Sequence, residues 1–107
     1  MTIDATLGGY LDTHERPPAF EGVDGQAYSV QIYVDDKPCD DGRFGAAILF
    51  VRWSAAGDSP TGHLETDFLA YGDSPAAAGS SLRSLTLHQL KARLDKLIAL
   101  QKELPAW

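Results

Sequence analysis

Side-chain character alternates with a period of two along two stretches of this chain. From Tyr28 to Val34, Tyr28, Val30, Ile32 and Val34 share one side, with Ser29, Gln31 and Tyr33 on the other. From His63 to Ala70, the ionisable His63, Glu65 and Asp67 alternate with Leu64, Thr66 and Phe68. A period of two is that of a half-buried strand, so both stretches are predicted strands. Between them, Gly45 to Trp53 is apolar at every position until Arg52. Such a run reads as a central strand. With Leu49, Val51 and Trp53 taken as core-facing, Ile48, Phe50 and Arg52 fall on the outer face, beside Tyr33 on one side and His63, Glu65 and Asp67 on the other.

The period changes after Tyr71-Gly72, which is read as breaking the strand. In Asp73-Ser74-Pro75, Ser74 supplies an N-cap oxygen and Pro75 occupies a first turn that needs no amide donor. Gly79, Ser80 and Ser81 weaken this helix, which is expected to stop near Ser84 and to pack through Leu82 and Leu85. Thr86 then caps a second helix, Gln89 completes a capping box, and Leu85 is placed to staple against Leu90. Leu87, Leu90, Leu94, Leu97, Ile98 and Leu104 fall within an arc of roughly 120°, the width of a core-facing stripe. Pro105 ends the helix.

The first residues carry weaker signals. Thr6 to Leu11, interrupted by Gly8-Gly9, reads as a short edge strand in an otherwise irregular segment 1–18, and Arg16-Pro17-Pro18 forces extended backbone. Ala19 to Val23 is a second short strand, joined through Asp24-Gly25 to the next by a tight hairpin turn. Asp35 to Arg43 has the composition of a solvated loop, as does the turn-rich Gly57 to Gly62. The expected fold is therefore α+β: an antiparallel sheet of three to five strands with two C-terminal helices packed on one face. The order of strand, Gly-Asp-Ser-Pro and helix over residues 28–84 resembles the small sheet-plus-helix domains of HicB-type bacterial antitoxins and of double-stranded-RNA-binding-like folds. That resemblance is one of topology and carries no residue or function across. The basic loop of double-stranded RNA binders is missing, which argues against their activity.

At 107 residues and 44% apolar content, the chain is sized for a single domain spanning 1–107 whose core needs no disulfide or structural metal. Its lone cysteine, Cys39, suits a reducing, cytoplasmic setting, and no secretion signal or membrane-spanning run is visible. The net charge of -6 is unevenly divided. Residues 1–75 carry -9 and residues 76–107 carry +3, so the predicted sheet region is strongly acidic and should repel nucleic acid. Tyr33 and Phe50 are base-stacking residue types, but the aspartates of residues 35–41 and the acids of 63–67 oppose a phosphate backbone.

Candidate chemistry lies on the outer face. Tyr33, Ile48, Phe50, Arg52, His63, Glu65 and Asp67 form the candidate binding set, an apolar Ile48–Phe50 centre with a charged edge. The favoured reading of His63, Glu65 and Asp67 is a plain outer row, with Arg52 pairing Glu65 across the strands. Alternate positions on one strand lie about 6.6 Å apart, too far for a metal site without other strands, and the aspartates of residues 35–41 match no calcium-loop spacing. No nucleophile motif or glycine-rich phosphate cradle supports catalysis, so no catalytic residue, metal or cofactor is assigned. The expectation is a non-enzymatic module that associates with itself, as a homodimer, or with another protein. The alternative is a small-molecule or metal-dependent activity centred on Tyr33, Arg52, His63, Glu65 and Asp67.

Overall fold

The computed structural model describes residues 5–14 and 16–103. In chain order the elements are α1 (Leu7–Thr13), β1 (Ala19–Glu21), β2 (Ala27–Val34), β3 (Phe44–Trp53), β4 (Pro60–Glu65), β5 (Ala70–Gly72), α2 (Pro75–Ser81) and α3 (Leu87–Glu103), with a 3-10 turn at Leu82–Ser84. The five strands make one antiparallel sheet in the order β1-β2-β3-β4, and β5 pairs with the first part of β3. The fold is thus the α+β class that the patterning predicts, with α2 and α3 following the sheet.

The hairpin from β1 to β2 turns where expected, Gly25 taking a φ of 78° that an L side chain resists. The Ser74 hydroxyl accepts from the Ala77 amide at 3.1 Å, and α2 gives way to the 3-10 turn that ends at Ser84. Thr86 and Gln89 form the capping box in both directions, at 3.0 and 2.9 Å. Leu90, Leu94 and Ile98 of α3 are buried, with Leu87 and Leu97 packed beside them. Leu104 and Pro105 lie outside the described residues.

Two element assignments change. In place of a strand over Thr6 to Leu11 the chain is helical from Leu7: Thr6 is extended and its hydroxyl caps α1 by accepting from the Gly9 amide at 3.0 Å. A seven-residue helix is too short to display its period, and this one is held by tertiary anchors. Leu7 is fully buried and its amide donates to the Leu85 carbonyl at 2.8 Å, while the Leu87 amide donates to Ala5. Gly8 allows the approach, since a β-carbon there would stand 2.9 Å from that of Arg83.

The expected strand from His63 to Ala70 is divided. β4 ends at Glu65 and Tyr71-Gly72 belongs to β5. Thr66 interrupts the ladder, its hydroxyl rather than its carbonyl accepting from the Ile48 amide at 3.0 Å. Its own amide still donates to the Ile48 carbonyl, and the Leu69 amide donates to Ala46, so the link hugs the edge of β3.

The register of β2 on β3 pairs Val30 with Phe50 and Ile32 with Ile48. Directly paired residues share a face. Ile48 and Phe50 therefore join Tyr28 and Val30 against Leu7, Ala78, Leu82, Leu90, Leu94 and Ile98, and neither has any exposed surface. This reverses the outward placement of Ile48 and Phe50. Because β3 is apolar on both sides, its own period cannot say which side meets the helices; the pairing with alternating β2 decides it.

Candidate functional site

The helices among the described residues all contribute to the cluster on one face of the sheet, and none of them lies on the other. That open face carries the odd-numbered positions of the central strands. Across it run Ser29, Val51 and His63 in one row and Gln31, Leu49 and Glu65 in the next, with Tyr33 beside Ala47. Leu49, Val51 and Trp53 are half-buried, whereas Tyr33, His63 and Glu65 are exposed. The Trp53 indole donates to the Ser29 hydroxyl at 2.9 Å, satisfying a nearly buried polar side chain. Tyr33, Leu49, Val51, Pro60, Gly62, His63 and Glu65 line a shallow depression of about 370 Å³.

At the opposite end of the face Phe68 lies over Gly45. A β-carbon at Gly45 would overlap the Phe68 ring, so the absence of a side chain is what seats it. Phe68 meets Tyr71 edge to face with centroids 6.0 Å apart, and the Arg43 guanidinium sits 5.0 Å above the Tyr71 ring. Asp41 holds Arg43 through an ion pair at 2.9 Å. The Arg43 backbone amide first, and its guanidinium second, keep the Asp41 carboxyl below its ordinary range. Asp35 is likewise engaged by the Lys37 amide at 3.0 Å, so these loop acids organise their own turns.

The seven residues of the sequence-derived set are divided by the fold. Tyr33, His63 and Glu65 share the open face and line its depression. Ile48 and Phe50 are in the core. Arg52 is on the helix side, paired with Tyr28 and Gly62, and donates to the Thr61 hydroxyl and carbonyl, both at 3.1 Å. The cross-strand neighbour of Glu65 is Leu49, so the expected Arg52–Glu65 pair does not form. Asp67 lies past the end of β4, in a separate groove of about 230 Å³ with Leu69, Arg93, Lys96, Leu97 and Leu100. The proposed catalytic or ligand cluster of Tyr33, Arg52, His63, Glu65 and Asp67 is therefore not assembled. Among the described residues, no three His, Cys, Asp or Glu side chains are grouped to hold a metal ion.

Leu49, Val51 and Trp53 are the face residues that the sequence missed. The signal that finds them is register: once Val30 and Ile32 are core-facing, their partners are too, and the odd positions must turn out. No helix among the described residues is long and apolar enough to cross a membrane. No family model, curated protein or solved structure matches the chain.

Proposed function

We propose that this chain is an association module whose open sheet face receives a protein partner. The observation that supports this reading is the half-exposed row of Leu49, Val51 and Trp53, framed by the exposed Tyr33, His63 and Glu65. An apolar centre with a polar, aromatic-bearing rim is the anatomy of a protein contact. A solvated antiparallel face would instead carry polar residues at its middle. The depression is broad and shallow, unlike the enclosed clefts that bury most of a small ligand.

The test places a photoreactive residue at Val51 in intact cells, with a control at Ala92, an exposed position on α3. A discrete protein adduct from position 51, absent from position 92 and removed by Leu49→Lys, is the expected result. Equal labelling from both positions, no adduct from either, or an adduct of small-molecule mass at position 51 would each reject the protein-contact reading.

A further inference from the structure

The sheet has two ends, and they are not equivalent. At one end β1 is three residues long and follows Pro17, which has no amide to donate at the free edge, Pro18 facing β2 where its carbonyl accepts from the Val30 amide. Short edge strands and prolines are the usual means of blocking further pairing. At the other end β4 has six residues, of which only the first is proline.

The direction of each β4 amide follows from one bond. Thr66 donates to the Ile48 carbonyl at 3.0 Å, so Thr66 points its backbone toward β3. In an antiparallel ladder this orientation alternates. Leu64 and Gly62 therefore also bond β3, across from Phe50 and Arg52, while the backbone groups of His63 and Glu65 point away from the sheet. Both side chains are exposed, and Glu65 belongs to none of the ion pairs among the described residues.

We propose that this edge pairs antiparallel with β4 of a second copy of the chain, about a twofold axis at Leu64. The proposal deepens the reading of the open face and rests on it, because the pairing extends the Leu49–Val51 surface across two copies. Charge complementarity selects the register. An axis at His63 would set His63 against itself, and one at Glu65 would oppose two carboxylates. An axis at Gly62 would leave Glu65 outside the pairing of outward residues, with only Thr61 facing His63. At Leu64, each His63 faces the second copy's Glu65, and both residues have the outward backbone groups that such a pair exchanges. Imidazole to carboxylate is then a donor-to-acceptor contact on each side of the axis. Leu64, partly buried on the helix side, meets its own copy and extends the apolar layer there.

Sedimentation equilibrium up to about 200 μM, a range that detects weak symmetric contacts, tests the pairing. The wild type is expected to form a reversible dimer. His63→Pro removes an amide that no bond within the copy uses, so it should keep the wild-type circular dichroism and weaken the dimer about tenfold or more. His63→Glu should also weaken it by placing carboxylates opposite one another, and adding Glu65→His should restore it. A wild type that stays monomeric, a His63→Pro dimer as tight as the wild type, or a double swap that fails to recover would overturn the proposal. Crosslinking from position 51 separates the two readings. A single adduct to a different protein, with a monomeric wild type, rejects the β4 pairing and retains the open face as a partner surface. Loss of adducts together with a monomeric wild type rejects both.

Discussion

Phe50 and Val51 are chain neighbours with opposite fates, one without exposed surface in the core and the other half-buried on the open face. Truncating Phe50 to Ala should cost about 3–5 kcal/mol, since the surrounding core cannot fully collapse into the space. Phe50→Asp should abolish cooperative unfolding, because an unpaired carboxylate in that core has no compensating partner. Val51→Asp is expected to stay folded and to lose about 1 kcal/mol or less. Urea titrations of the three variants check this, and a folded Phe50→Asp protein would contradict the face assignment. Tyr28 makes stability depend on alkaline pH. Its hydroxyl donates to Asp24 at 2.8 Å. Burial first and the Asp24 carboxylate second raise the phenol's pKa above its ordinary value, against a smaller opposing influence of Arg52. The folded chain thus keeps this proton to higher pH than the unfolded chain. Its contribution to stability is complete below the ordinary tyrosine value of about 10 and falls as pH rises through the raised value. Tyr28→Phe should lower stability at neutral pH by about 1 kcal/mol and flatten the decline in urea midpoint above about pH 10. An unchanged alkaline slope would show that other groups carry it.

Elements whose ends are defined by local chemistry were legible in the sequence. Ser74 and Pro75 start α2, and Thr86 with Gln89 starts α3, because a capping side chain bonds amides only three residues away. Elements defined by distant partners were not. α1 is anchored by Leu85 and Ala5 to Leu87, and the face of β3 is set by β2. The open face follows the same rule: the alternating period of their strands places Tyr33, His63 and Glu65 on it, whereas the side taken by Leu49 and Val51 follows only from the β2–β3 register. The link between β4 and β5 likewise rests on a distant partner, since the Phe68 ring packs over Gly45 of β3. Gly45→Ala is therefore expected to cost about 1–3 kcal/mol through overlap with the Phe68 ring. In a Phe68→Ala background the same change should be close to neutral, since directly contacting residues couple. Equal costs in both backgrounds, measured by denaturant unfolding, would show that Phe68 is not the obstacle.

Over the molecule, the division of charge separates the sheet from the two C-terminal helices. The strands, their loops and the short α1 lie within the -9 portion, while α3 and all of α2 except Pro75 lie within the +3 portion. Tyr33 and Tyr71 are exposed, and Arg43 stands over Tyr71, which together resemble part of a base-stacking platform. Phe50, the other aromatic once placed on that surface, is in the core. The remaining electrostatics oppose a nucleic acid. Asp41 already pairs Arg43, Glu65 stands on the same face as Tyr33, and the loop between β2 and β3 adds Asp35, Asp36 and Asp40. A strand of phosphates would have to approach these acids without a basic groove to release its counterions. The expected result is no anisotropy change for a labelled single-stranded oligonucleotide at either about 50 mM or about 200 mM salt. A signal that grows as salt is lowered would mean that the basic helical layer, rather than the aromatic face, is the contact. Substituting Arg93 and Lys96, both exposed on α3, would then abolish it, whereas Tyr33→Ala would not.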